Sequence, residues 1–115
     1  VLILGYRPPV LTAKFWASLD VLSEGRTLLG VGVGWMKEEF DVLGMPYDHR
    51  GARGDEQLEV FDRLFSNANP SFDGRFYQFP EIGFSPKPVQ SPVPIWVGGN
   101  SAAAFRRTAP LPLAT

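Results

Sequence analysis

Two glycine-rich stretches contain the residues of this 115-residue chain that could hold a ligand. The first, Gly25–Trp35 (GRTLLGVGVGW), has the pattern of a strand with Gly30, Gly32 and Gly34 at alternate positions. Because successive side chains of a strand point to opposite faces, these glycines share one face and leave its backbone bare. Bare backbone weakens a strand, and close approach of a flat group compensates for this. We predict a planar cofactor ring on this face, with packing of a bulky neighbour as the alternative.

The second stretch, Ile95–Ser101 (IWVGGNS), combines a short strand, a tight turn and the start of a helix. Two glycines allow a sharp turn, and the two residues after them add side-chain donors: Gly98, Gly99, Asn100 and Ser101. The first amides of a helix are unpaired and its dipole is positive at that end, which favours an anion. The turn is therefore a candidate phosphate site. A plain strand–helix junction with a Ser or Asn cap is the alternative.

A third group of residues is charged and follows the glycine strand. It comprises Glu38, Glu39, Asp41, Asp48, His49, Arg50 and Arg53. Paired carboxylates can act as general acid and base, but a solvated helix face with loop charges is the commoner outcome of such a pattern. Trp35 and Tyr6 follow predicted strand ends, where they could flank a ligand ring or belong to the core. No catalytic residue is assigned among them.

Composition excludes several classes of site and partner. The chain has no cysteine and a single histidine, so we expect no disulfide and no metal site. Its net charge of −1 gives no basis for binding nucleic acid or an anionic membrane surface. No apolar run approaches the roughly 18 residues of a membrane helix, and no signal peptide opens the chain. We therefore expect a cytoplasmic protein that acts on a small molecule.

The elements that carry these residues alternate between strands and helices. Strands are predicted at Val1–Gly5, Thr27–Gly34 and Ile95–Val97. Helices are predicted at Val10–Leu22, Lys37–Leu43, Asp55–Phe65 and Asn100–Thr108. Strand–helix–strand connections of this kind are nearly always parallel, so the pattern predicts an α/β fold.

Two of the helices have patterns that predict which face they bury. The first helix has one apolar stripe at helical spacing, formed by Leu11, Phe15, Leu19 and Leu22. The helix at 55–65 is expected to begin with Asp55 as its N-cap and to pair Glu59 with Arg63. Its inward-facing residues are expected to be Leu58, Phe61 and Phe65.

Residues 66–94 are predicted to be an insertion within a single domain that spans 1–115. The insertion begins with a hairpin, Asn67–Phe79, which turns on Asp73–Gly74 and is anchored by Phe72, Phe76 and Phe79. It continues as an extended proline-rich linker over the surface, Pro80–Pro94. Pro110 and Pro112 are expected to end the last helix. Three parallel strands alone would leave apolar edges unpaired, so we expect this chain to be a fragment of an eight-fold barrel.

The ordered motifs of the chain resemble the luciferase-like monooxygenase superfamily. They are GRTLLGVGVGWMKEEF, RG-x-R-x-DE, F-x-G-x-F-Y-x-F, P-K-P and PIWVGGNS, and the resemblance runs from Val1 to about Thr108. The likeness is greatest to the deazaflavin (F-420)-dependent oxidoreductase branch. It implies a partial (β/α)8 TIM barrel with a small β-hairpin insertion, in which Val1–Gly5, Leu28–Val33 and Ile95–Val97 are the third to fifth strands.

The resemblance also implies a cofactor and a function. The cofactor would be F-420, with FMN as the alternative, and the reaction would be hydride transfer or monooxygenation of a small organic substrate. The cofactor ring would lie beside Gly30, Gly32 and Gly34, and its phosphate would lie in the turn from Gly98 to Ser101. Val33 stands where luciferase-type flavin enzymes place an arginine for the phosphate, which favours F-420. The longer parent protein is expected to form a homodimer. The alternative to a catalytic barrel is a truncated, non-catalytic fragment that binds no cofactor of its own.

Overall fold

The computed structural model describes residues 1–108 and confirms the predicted α/β class. The strands are β1 (Leu2–Ile3), β2 (Leu29–Gly32), β3 (Phe72–Asp73), β4 (Gln78–Phe79) and β5 (Ile95–Val97). The helices are α1 (Pro9–Leu22), α2 (Lys37–Leu43), α3 (Arg50–Ser66) and α4 (Ala102–Thr108). None of these helices has the length and apolar content that a membrane span requires. The predicted helix end at Pro110 and Pro112 lies outside the described residues.

A parallel sheet in the order β1-β2-β5 forms the centre of the fold. Its register places Leu2 opposite Val31 and Gly30 opposite Trp96. The strands are shorter than predicted at both ends of β2 and at the end of β1. After β1 the backbone enters a short 3-10 turn at Leu4–Tyr6, and β2 stops before Gly34, whose φ of +80° does not fit a strand.

The hydrophobic core lies between this sheet and helices α1 and α3. Val31 points into it from β2, and Trp16 of α1 packs edge-on against two rings of α3. Its ring centroid lies 5.9 Å from that of Phe61 and 5.4 Å from that of Phe65. The predicted inward face of α3 is confirmed, because Leu58 and Phe61 are buried and Phe65 packs against the core.

Helix α1 does not bury the apolar stripe that its sequence presents. Its buried residues are Pro9, Thr12, Ala13, Trp16, Ala17 and Asp20. The stripe of Leu11, Phe15, Leu19 and Leu22 is 45–80% exposed. The small side chains of Ala13 and Ala17 allow α1 to pack closely against α3, and the stripe lies about 135° around the helix from the centre of this buried face. Within residues 1–108, the stripe and the side of β1 form an uncovered apolar surface.

Helix α3 begins at Arg50, five residues before the predicted N-cap Asp55. His49, with a φ of +58°, ends the preceding loop and accepts the first hydrogen bond of the helix. The Arg50 guanidinium lies 4.2 Å from the ring centroid of Tyr47, and its Nε donates to the carbonyl of Gly34 at 2.8 Å. These tertiary contacts anchor a first turn that local sequence preference did not indicate.

The hairpin β3–β4 has the predicted antiparallel pairing, with Phe72 opposite Phe79. Its turn lies at residues 74–77 instead of Asp73–Gly74, because Asp73 pairs with Gln78 in the ladder. The carboxylate of Glu56 holds it against α3 by accepting the backbone N–H groups of residues 75–77, each at 2.7 Å. Arg63 also contacts the insertion and donates to the carbonyl of Ser71. The predicted ion pair between Glu59 and Arg63 is not found in the part of the chain that the structure describes.

The proline-rich linker has no helix or strand, as predicted, but several of its side chains fasten it to the core. Phe84 and Val93 are buried. The ammonium group of Lys87 donates to the carbonyls of Leu64 and Asn67, at 2.6 and 2.7 Å, and so binds the free carbonyls at the end of α3. The linker therefore holds α3 and the start of β5 in fixed positions.

A buried carboxylate joins the linker to α1 and to the start of β2. Asp20 is 0% exposed and accepts four hydrogen bonds. They come from the N–H and Oγ1 of Thr27, at 3.3 and 2.6 Å, and from the N–H and Nε2 of Gln90, at 2.9 and 2.8 Å. Burial by itself raises the pKa of Asp20, but these hydrogen bonds outweigh it and lower the pKa to about 2.

Candidate functional site

The two glycine-rich stretches meet at the carboxyl edge of the parallel sheet. The N–H of Gly98, directly after β5, donates to the carbonyl of Val31 in β2 at 2.7 Å. This bond extends the pairing of the two strands by one residue and places the turn after β5 beside the end of β2. In parallel α/β sheets, ligands bind outside the carboxyl ends of the strands.

The sheet face that bears the glycines is open next to Gly30. Paired residues of parallel strands point to the same side, so Ile3, Gly32, Gly30 and Trp96 share this face. No atom of the described chain lies within 4 Å of the position that a Cβ of Gly30 would take. A Cβ of Gly32 would lie 3.4 Å from Val1 Cγ1, which is ordinary contact. The open surface therefore has a floor of backbone, with β1 side chains on one side and an indole on the other.

Gly34 does not continue this open surface, which corrects the expectation of one bare strip. A Cβ at Gly34 would lie 2.9 Å from Ile3 Cγ2 and 3.0 Å from Phe40 Cε2. The φ of +80° at this residue also disfavours any side chain. Packing inside the chain therefore explains the glycine at this position.

Replacing Gly34 by alanine is expected to destabilise the chain by about 2 to 3 kcal/mol, through both the positive φ and the clash with Phe40. Gly44→Ala is the matched control, because Gly44 has a φ of +70° but no atom of the described part of the chain within 4 Å of its Cβ position. The control substitution should lower the free energy of unfolding by only about 1 kcal/mol, which is the cost of the left-handed backbone conformation for alanine. Urea denaturation of both variants measures the difference. Equal losses would contradict the packing explanation.

The predicted phosphate-binding turn is exposed, and one of its residues caps helix α4. The hydroxyl of Ser101 accepts the N–H of Ala104 at 3.1 Å, so Ser101 caps the helix and α4 begins two residues later than predicted. Gly99 has a φ of +117°, and its Cβ would lie 3.1 Å from the Cβ of Ala104. What the turn presents to a ligand is the exposed stretch from Gly98 to Asn100.

A tyrosine–carboxylate pair lies at the same edge and was not predicted as a pair. Tyr6, just after β1, donates its hydroxyl hydrogen bond to Glu39 of α2. That hydrogen bond and partial burial raise the pKa of Tyr6. The Tyr6 ring packs edge-on against Phe40 at 4.9 Å between centroids, and Phe40 in turn contacts Gly34. The two partners are 33 residues apart, so no spacing rule indicates the pair.

The remaining charged residues are distributed as on a solvated helix face. Lys37 and Asp41 form an exposed i,i+4 pair at 2.9 Å. Arg53 Nε donates to the carbonyl of Asp48 at 3.0 Å, which closes the loop before α3. Residues 1–108 contain no cluster of three His, Asp or Glu side chains arranged to bind a metal ion.

Trp96 is not among the predicted site residues. This tryptophan is 67% exposed, although it lies in the middle of β5 between two half-buried aliphatic residues, Ile95 and Val97. The sequence does indicate this orientation, because successive residues of the strand IWV point to opposite faces and the indole is therefore on the face opposite to that of its two neighbours. Trp35 is 75% exposed, and its carbonyl accepts the hydroxyl of Tyr47 at 3.2 Å.

Known proteins match nearly the whole chain. The model of a family described as luciferase-like monooxygenase matches residues 1–111. An uncharacterized protein of Mycobacterium tuberculosis is 42% identical over 109 residues, which cover 95% of this chain and 38% of the relative. The FMNH2-dependent dimethylsulfone monooxygenase of Pseudomonas putida is 39% identical over 100 residues, which cover 84% of this chain and 28% of that enzyme.

A solved structure agrees with the sequence comparisons. The crystal structure of monooxygenase RslO1 from Streptomyces bottropensis superposes with a TM-score of 0.77 at 30% identity. The match covers 84% of this chain and 30% of that protein. The chain thus spans 38% of the length of the mycobacterial relative and smaller shares of the two monooxygenases.

Proposed function

The chain belongs to the luciferase-like monooxygenase family, and from this premise we propose that it forms part of a flavin-dependent oxidoreductase acting on a small organic substrate. The observation that carries the proposal is the open, side-chain-free surface at Gly30, next to the exposed turn after β5. A planar ring can approach backbone more closely there than at any position with a side chain. A phosphate group can meet the turn at the same edge.

We propose further that this chain supplies the third to fifth strands of a (β/α)8 barrel. Two features support a larger sheet: the outer edges of β1 and β5 are unpaired among the described residues, and the α1 stripe is exposed. Both surfaces would be covered by neighbouring units in a closed barrel, whereas the glycine face would line its interior. The share of its relatives that the chain covers also supports this arrangement.

The cofactor we propose first is reduced FMN, because the Pseudomonas relative is named as FMNH2-dependent. A bound flavin supplies the electrons of the reaction, and the protein supplies position, dryness and electrostatics. In this chain the ring would lie against Gly30 and Gly32, and the N–H groups of Gly99 and Asn100 would meet the phosphate, since that of Gly98 is bonded to Val31. F-420 is the second candidate, since Val33 takes the place of the phosphate-binding arginine expected in FMN enzymes of this family.

A chimera tests the proposal in a closed barrel. This chain replaces the matched segment of the Pseudomonas putida enzyme, and the purified chimera is titrated without oxygen with FMNH2 and with F-420. We expect saturable binding of one of them, with a dissociation constant within about tenfold of the parent enzyme, because the glycine face and the turn are retained. A folded chimera that binds neither cofactor would overturn the proposal and favour a non-catalytic segment. The 115-residue chain is titrated in parallel to show whether it binds alone.

A further inference from the structure

We propose that Trp96 forms one wall of the cofactor site, so that the bound ring lies over Gly30 with the indole directly beside it. This inference rests on the proposed function, and it assigns a role to a residue outside the two glycine-rich motifs. It predicts that Trp96 contributes to the affinity for the cofactor and that the fluorescence of its indole changes when the cofactor binds.

The register of the sheet is the first argument. Gly30 and Trp96 are partners across β2 and β5, so the indole lies next to the position of this face that has no atom of residues 1–108 within 4 Å of its Cβ position. On the other side of β2, the same face carries Val1 and Ile3. Neighbouring strands are about 4.8 Å apart, so the side chains of β1 and β5 that flank Gly30 start roughly 10 Å apart across bare backbone.

The exposure of Trp96 is the second argument. Within residues 1–108 its indole is 67% uncovered, whereas Trp16 is 4% exposed in the core. A tryptophan offers a large apolar surface and a ring that packs against other rings with offset or edge geometry. A flavin-type ring over Gly30 would cover that surface. Interior side chains from the rest of a barrel are the competing occupant, and the experiment separates the two.

The experiment measures the fluorescence of the indole, which depends on its environment, and does not rely on catalytic activity. Trp96→Phe and Trp16→Phe are made in the chimera and in the full 115-residue chain, and tryptophan emission is followed while FMNH2 or F-420 is added. Trp16 is the control, because its indole is buried in the core with Val31, whose side chain is on the opposite face of β2 from Gly30. We expect Trp96→Phe to remove most of the cofactor-induced quenching and to raise the dissociation constant about threefold, because the smaller phenyl ring covers less of the cofactor. Trp16→Phe should retain both.

A second measurement keeps Trp96 in place. Proteins labelled with 5-fluorotryptophan are examined by fluorine NMR, and the Trp96 resonance is identified as the one missing from Trp96→Phe. We expect this resonance to shift on addition of cofactor by more than that of the buried Trp16. Unchanged quenching and affinity in Trp96→Phe, together with an unshifted Trp96 resonance in a protein that binds cofactor, would overturn the inference. If the unsubstituted protein binds no cofactor, the proposed function itself fails.

Discussion

Replacing Asp20 by alanine is expected to lower the free energy of unfolding by about 3 to 4 kcal/mol, because a buried carboxylate is removed from four hydrogen bonds. Its donors, on the half-buried Thr27 and Gln90, would lose this acceptor. The hydrogen bonds between Gln90 of the proline-rich linker and α1 would be lost with it. Urea denaturation followed by circular dichroism measures the change.

Asp41→Ala is the control for this substitution. Asp41 is also an aspartate on a helix, but its ion pair with Lys37 is exposed. Exposed pairs of this kind contribute about 0.5 kcal/mol or less. If Asp20→Ala cost no more than Asp41→Ala, the buried network would have no stabilising role.

The same carboxylate should make stability depend on pH in the acid range. The pKa of Asp20 is about 2 in the folded chain, against an ordinary value of 3.8. Because the folded state favours the ionised form, its contribution is complete above about pH 4 and disappears as the pH falls through 2. The shift corresponds to roughly 2 kcal/mol. Urea midpoints between pH 2 and pH 6 should show this loss in the natural sequence and not in Asp20→Asn; identical slopes would contradict the assignment.

The substitution Gly30→Val is expected to leave the fold intact and to weaken cofactor binding about 100-fold. This corresponds to about 3 kcal/mol of binding free energy, the size of effect expected when a site is overpacked. The new Cβ has no atom of residues 1–108 within 4 Å, and a β-branched residue suits a strand. The added side chain would instead fill the space that the ring of the cofactor requires. Titration of the Gly30→Val chimera with the cofactor that binds, together with its thermal midpoint, measures both effects.

Gly83→Val provides the matched control for Gly30→Val. Among residues 1–108, Gly83 likewise has no atom within 4 Å of its Cβ position, but it lies in the proline-rich linker. This variant should bind cofactor as the unsubstituted protein does. A stable Gly30→Val protein with unchanged affinity would show that the ring does not lie on this face.

Where neighbouring residues determine the conformation, the sequence alone was sufficient to predict the structure. Helix α2 has the predicted bounds and ends at Gly44, whose φ of +70° is the left-handed conformation expected of a glycine after a helix. Strand β5 and the hairpin around Phe72 also lie where the pattern placed them. The glycine alternation correctly indicated a strand with one face free of side chains at Gly30.

The tertiary structure decided what depends on neighbours distant in the sequence. Helix α1 buries Ala13 and Trp16 instead of its leucine stripe, because this face packs against α3, where the indole meets the rings of Phe61 and Phe65. The hydrogen bonds between Asp20 and Gln90 join positions 70 residues apart, and no periodicity in the sequence indicates them. Likewise, Gly34 is filled by Phe40 while Gly30 stays open. Local spacing sets which face a side chain occupies, but only the packing of separate elements determines whether that face is filled.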